Sequence, residues 1–222
     1  MTQAQMTGAR RTSLASPGGS QRLSLGVLVS GAGSNLQAIL DAVAAGMLAA
    51  DVKVVISNRE GAKALDRARA ANVPALTIPH QAFPSREAFD GALVSALREA
   101  GVDWVVLAGF MRVLTPEFLN AFAGRIINIH PALLPSFPGV DAAKQALDYG
   151  VKITGCTVHF VELGVDMGKI IAQRAVPVED SDDLSSLGAR IHAAEHELFV
   201  SVLRDIAAGR VTPLALPSAS ET

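Results

Sequence analysis

Apolar residues along this chain fall into short runs separated by stretches with helical spacing, and the two patterns alternate. Runs rich in Val, Ile and Leu at 23–30, 51–58, 74–79, 103–109 and 125–130 predict strands. The intervening segments 34–46, 61–71, 85–100 and 115–122 predict helices. Such alternation predicts a parallel sheet covered on both faces. Thr115-Pro116-Glu117 is a good helix start, with a residue that can cap, a proline suited to the first helical position and an acid that complements the dipole. The pattern then changes. Runs at 153–162 and 170–178 are separated by a link too short for a crossover helix, so they are expected to pair as antiparallel neighbours. A final helix is expected from about 183 to 208. The chain therefore reads as α/β.

Composition narrows this picture. With 222 residues, 50% hydrophobic and 18% charged, the chain can bury one sizeable core, so a single domain is expected. A net charge of −2 and the lack of any charged run offer no match for a nucleic-acid backbone, which favours a small-molecule partner. Cys156 is the lone cysteine, which excludes an internal disulfide and a multi-cysteine metal site and fits a small buried apolar role in a reducing compartment. No run approaches ~18 consecutive apolar residues, so no membrane span is expected. Residues 1–22 contain no acid, three arginines and a Pro-Gly-Gly break, and read as a disordered tail rather than a secretory signal. Residues 212–222 read as frayed.

Ligands of open α/β sheets gather at the carboxyl ends of the strands, which directs attention to the residues just after them. Ser30-Gly31-Ala32-Gly33-Ser34-Asn35-Leu36 begins like a dinucleotide fingerprint, but Leu36 stands where a third glycine belongs and no acid closes the second strand. Its backbone N–H groups at Gly33, Ser34 and Asn35 suit a phosphate. An ordinary strand-to-helix turn with a Ser or Asn cap fits the same residues. In the last helix, His192-Ala-Ala-Glu195-His196 matches a zinc pattern, although no third ligand lies near in sequence. The run at 125–130 ends with Asn128 and His130 on one face, about 6 to 7 Å apart. An amide in an apolar strand needs partners that its layer does not supply. Asp166, in the link between the two late strands, brings a carboxylate to the same sheet edge. Amide, imidazole and carboxylate together can stabilise an oxyanion at an acyl centre and move a proton.

Four ordered motifs, Ser30-Gly-Ala-Gly-Ser-Asn-Leu-Gln37, Leu107-Ala-Gly-Phe-Met-Arg-Val-Leu114, Asn128-Ile-His-Pro-Ala-Leu-Leu-Pro135 and Gly155-Cys-Thr-Val-His-Phe-Val161, resemble the phosphoribosylglycinamide formyltransferase family. The resemblance implies a mostly parallel, Rossmann-like sheet with helices on both faces and antiparallel late strands, the formyltransferase fold. It divides the chain into a tail at 1–22, a catalytic domain at 23–209 and a C-terminal tail at 210–222. Asn128, His130 and Asp166 would be the catalytic group. Gly33, Ser34, Asn35 and Glu195 would hold glycinamide ribonucleotide. Arg86, Met111, Arg112, Val113, Leu114 and Asn128 would bind the folate, together with Glu162, Leu163, Gly164, Val165 and Asp166. The resemblance further implies 10-formyltetrahydrofolate as co-substrate, no metal, a role in purine biosynthesis, a cytoplasmic setting, no nucleic-acid or membrane partner, and a monomer or homodimer.

Two positions depart from the family pattern: Asp141, where several relatives have histidine, and Lys169, where the segment Asp166-Met-Gly-Lys-Ile170 replaces a proline. Methionyl-tRNA formyltransferase and formyltetrahydrofolate deformylase resemble this domain too, but carry a further C-terminal and N-terminal domain respectively. A non-catalytic nucleotide- or folate-binding module is the alternative of another class, against which the intact Asn128, His130 and Asp166 speak.

Overall fold

The computed structural model describes residues 22–215; the expected N-terminal tail up to residue 21 and the last seven residues lie outside them. Seven strands form one sheet: β1 (Leu23–Val29), β2 (Ala50–Ser57), β3 (Ala75–Thr77), β4 (Trp104–Leu107), β5 (Ile126–His130), β6 (Ile153–Phe160) and β7 (Ile170–Pro177). Their order across the sheet is β3-β2-β1-β4-β5-β6-β7. The first five are mutually parallel, whereas β6 runs antiparallel to both β5 and β7. The expected α/β architecture is thus observed, with the late strands antiparallel.

Strand alternation sorts the core into two layers. Leu25, Val27 and Val29 of β1 pack with Leu36 and Ile39 of α1 (Ser34–Ala44) and with Phe199 and Leu203 of α6 (Leu184–Ala207). Leu28 points the other way, toward Phe89, Leu93 and Leu97 of α3 (Arg86–Glu99) and Phe118 of α4 (Pro116–Ala121). Side chains of this size contribute about 1.5–3 kcal/mol each on full burial, so both faces must be covered for the sheet to persist. Helix starts follow local chemistry. Thr115 Oγ1 accepts from Phe118 N–H, Ser85 Oγ accepts from Ala88 N–H, and Asp183 and Ser186 form a reciprocal capping pair.

Three features differ from the sequence reading. A helix α5 (Ala142–Tyr149) follows β5, unannounced by the pattern because only Ala142 and Ala146 are buried and small residues make a faint stripe. A single 3-10 turn occupies His80–Ala82. Residues 212–215, expected to fray, lie against the domain: Leu214 N–H donates to Gly124 O at 3.0 Å and the Leu214 side chain packs on the core. Helix α2 (Lys63–Ala70) and the remaining elements match expectation within a few residues.

The junction of β6 with β7 is tight. A Cβ on Gly155 would lie 2.0 Å from Arg174 O and 2.9 Å from Leu133 Cδ2, and the first is backbone that cannot give way without opening the pair. Gly155→Ala is therefore expected to destabilise the domain by about 1–3 kcal/mol. Urea unfolding should show a lower midpoint at unchanged slope; an unchanged midpoint would mean that the pair separates freely.

Candidate active site

Strand β5 ends on a polar pair because its neighbour supplies the partners. In the antiparallel register Asn128 faces His159 and His130 faces Thr157. Asn128 Nδ2 lies 3.1 Å from His159 Nε2, and His159 Nδ1 lies 2.8 Å from Phe160 O. A carbonyl only accepts, so His159 Nδ1 donates to Phe160 O, and Nε2 faces both the Asn128 amide and the Asp166 carboxylate. His130, 3% exposed, has Nε2 at 2.8 Å from Phe137 O and Nδ1 at 3.3 Å from Asp166 Oδ2. Both its nitrogens face oxygens, a pattern that only the doubly protonated ring satisfies in full.

Asp166 lies between the two imidazoles. Its Oδ1 is 3.6 Å from His159 Nε2, and its Oδ2 accepts from Gly139 N–H at 2.8 Å. The residue sits at φ 54°, a left-handed conformation that aspartate tolerates better than most side chains and that turns the carboxylate back toward the sheet. Burial works to raise its pKa, but the hydrogen bonds and charges of His159, the Gly139 amide and His130 outweigh it, and the carboxyl stays below its ordinary value. Asn128, His130 and Asp166 are thus brought together, as the spacing implied.

A second loop lies at the end of β1. Gly33 begins α1 at φ 74°, and a Cβ there would meet Ala64 Cβ at 2.6 Å and Ala64 Cα at 2.8 Å, so α2 packs directly on the loop. Arg67 of α2 donates from Nε to Ala32 O at 2.8 Å and from Nη1 to Gln37 Oε1 at 3.0 Å. The first amide of α1 to close an intrahelical bond is Gln37, onto Gly33 O, and no side chain caps the helix and no acid stands in its first turn. The alternative of a turn capped by Ser34 or Asn35 is therefore overturned, and the free amides favour an anion. Asn35 instead donates from Nδ2 to Glu195 Oε2 at 3.1 Å, while its Oδ1 is buried without a partner. Burial pushes the Glu195 carboxyl up to about 7, against the lowering effect of Asn35. Glu195 is committed to this loop, and among the described residues no three His, Cys, Asp or Glu side chains converge as metal ligands.

A cavity of about 470 Å³ opens beside Asn128. Of the expected folate contacts, Met111, Arg112, Val113, Leu114, Asn128, Glu162, Gly164, Val165 and Asp166 line it. Leu163 does not: it is 68% exposed and turned outward. Arg86 stands outside the lining as well, and donates from Nη2 to Val113 O at 2.9 Å, so it supports the wall from behind. His130 does not line the cavity either: it is buried, with its Nε2 held at the Phe137 carbonyl. His159 does line the cavity, a position that the sequence reading passed over. The available signal was a polar residue in an otherwise apolar strand, the same feature that singled out Asn128.

Comparisons with known proteins agree with this geometry. Residues 24–203 match the model of the formyl transferase family. The trifunctional purine biosynthetic protein adenosine-3 of Drosophila melanogaster is 50% identical over 202 residues, 90% of this chain but only 15% of that protein, so the chain spans a small part of such relatives. Phosphoribosylglycinamide formyltransferase of Escherichia coli is 44% identical over 83% of this chain and 87% of its own length. The crystal structure of glycinamide ribonucleotide transformylase 1 from Symbiobacterium toebii superposes with a TM-score of 0.85 at 50% identity, over 89% of this chain and 92% of that one. By matched domain, by near full-length likeness and by fold, the chain belongs to the formyl transferase family, in the group of the phosphoribosylglycinamide formyltransferases.

Proposed function

We propose that this protein transfers the formyl group of 10-formyltetrahydrofolate to the amine of glycinamide ribonucleotide, a step of purine biosynthesis. The observation that carries this reading is the cluster of Asn128, His130 and Asp166, of which Asn128 and Asp166 line the cavity, two strands across the sheet from an anion-ready helix start. In this reading the cavity takes the folate and the loop of Gly33, Ser34 and Asn35 takes the ribonucleotide phosphate, with Glu195 behind it. A cytoplasmic setting and a monomeric or homodimeric state belong to the same reading.

The amine nitrogen attacks the formyl carbon, forming the new C–N bond and a tetrahedral oxyanion. Asn128 Nδ2–H and the His130 imidazolium are the donors available to that oxyanion. For His130 to take part, its Nε2–H must leave Phe137 O when substrate arrives, a rearrangement common to sites that tighten only around their ligands. The bond from the formyl carbon to folate N10 then breaks, and the proton lost by the attacking nitrogen ends on N10. Asp166, which accepts from the Gly139 amide at Oδ2 and faces His130 Nδ1 at 3.3 Å, assists that transfer, with a bridging water as the short-range carrier. His159 Nε2, 3.1 Å from Asn128 Nδ2, holds the amide in place.

Formyl loss from 10-formyltetrahydrofolate, followed by absorbance, is expected to require glycinamide ribonucleotide and to persist in excess chelator. Full-rate loss without the amine would instead indicate hydrolysis, and loss of activity restored by zinc would indicate a metal site. Asp166→Asn keeps the shape and removes the charge that faces both imidazoles. It should lower kcat on the order of 100- to 1000-fold with little change in either KM, as removal of one transition-state interaction does. A defect confined to KM would remove Asp166 from the chemistry.

Glu195 gives a separate pH signature. Its folded pKa of about 7 exceeds the ordinary 4.5, so the native state retains a proton that the unfolded chain releases between those values. Wild-type stability should therefore fall as pH rises from about 4.5 to 7, by a total of about 3 kcal/mol. Glu195→Gln should be more stable than wild type at pH 8 and equal to it near pH 4.5, while binding the ribonucleotide less tightly. Parallel stability profiles for the two proteins would contradict the buried, proton-holding state.

A further inference from the structure

Segment 111–114 forms one wall of the cavity, yet it belongs to no helix or strand, and among the described residues its backbone makes no backbone–backbone hydrogen bond. Met111 and Val113 are 59% and 50% exposed, so apolar burial anchors the segment only at its last residue, Leu114, which packs in the second core layer. The rest is held by three side chains from outside the cavity. Ser30 Oγ, at the end of β1, accepts from Met111 N–H at 2.8 Å. Arg86 Nη2 donates to Val113 O at 2.9 Å. Asp90 Oδ2, one turn further along α3, accepts from Thr115 N–H at 2.6 Å.

We propose that Ser30 and Asp90 are positioning residues of the formyl-donor site, which set the cavity wall by capturing the amides at its two ends. The proposal rests on the reading of that cavity as the folate site. Both side chains are placed for nothing else that the reaction needs: Ser30 is 5% and Asp90 2% exposed, and neither lines the cavity. Ser30 is itself fixed, donating to Asn58 Oδ1 at 2.6 Å, and Asn58 Nδ2 lies 3.3 Å from His80 Nδ1. The chain from His80 through Asn58 and Ser30 to Met111 therefore ties the donor wall to the first residue of the phosphate loop. Asp90 is a buried carboxylate whose pKa is raised mainly by desolvation, an environment costly to keep unless the bond to Thr115 is of use.

The test compares Ser30→Ala, Asp90→Ala and Asp90→Asn with wild type by steady-state kinetics in both substrates and by amide hydrogen exchange. Loss of one acceptor that leaves an amide without a partner is expected to raise the KM for 10-formyltetrahydrofolate roughly 5- to 100-fold in the two alanine variants, and to leave the KM for the ribonucleotide unchanged. Asp90→Asn retains an oxygen acceptor and should restore most of the donor affinity. Exchange should accelerate at Met111 in Ser30→Ala and at Thr115 in Asp90→Ala, with global protection intact. Should Asp90→Ala fail to fold, Ser30→Ala decides. An unchanged donor KM, or an equal rise for both substrates, overturns the proposal. A wild-type protein that binds no folate would instead overturn the functional reading, and the exchange rates would still report whether the two amides are held.

Discussion

Antiparallel pairing of β6 against β5 is the constraint from which the site follows. A parallel neighbour would carry its own carboxyl end to the same edge and leave by a crossover, whereas the reversed strand sets His159 opposite Asn128 and Thr157 opposite His130. The short link to β7 leaves β6 beside Ile126, at the start of β5, and folds back so that Asp166 lies between two imidazoles that the register has already placed. Thr157 reinforces the arrangement. Its hydroxyl donates to Ala132 O at 2.7 Å and accepts from Leu134 N–H at 3.0 Å, which fixes the loop leaving His130.

Two carboxylates then meet opposite fates. Asp166 has an amide and two imidazoles around it, and these outweigh desolvation, so its charge is retained. Glu195 has one neutral amide, from Asn35, and desolvation prevails. The difference is one of partners and of depth, since Glu195 is buried and Asp166 only partly so, and it separates a charged group beside the cavity from one that is about half-protonated near pH 7. A neutral carboxyl there adds no repulsion against a phosphate at the start of α1. Cys156, beneath the same layer, is 0% exposed and its thiol is pushed up to about 12 by burial and by Glu195, which makes it a small apolar residue.

The two substrate regions are built by different means. The phosphate loop is clamped by packing, with α2 against Gly33 and Arg67 over the backbone of Ala32. The cavity wall at 111–114 is packed only at Leu114 and otherwise depends on isolated hydrogen bonds from Ser30, Arg86 and Asp90. Ser30 belongs to both, since it opens the first loop and holds the second.

Periodicity alone was enough for the sheet, its covering helices and the reversal of the late strands, because burial on one or both faces writes a repeat into the sequence that survives without neighbours. The polar residues that interrupt that repeat, Asn128 and His130, marked the reacting edge for the same reason. Residues whose roles depend on a partner distant in the chain left no such trace. His159 acquires its role from the register with Asn128, Asp90 from a single backbone amide across 25 residues, and Arg86 from the carbonyl of Val113 in the cavity wall, while Leu163 stands exposed outside the lining. Helix α5 escaped notice because two alanines are too small a stripe. Local pattern was sufficient for the strands, most of the helices and the polar end of β5; which side chains meet there follows from the tertiary structure, because register and packing set those distances and local pattern does not.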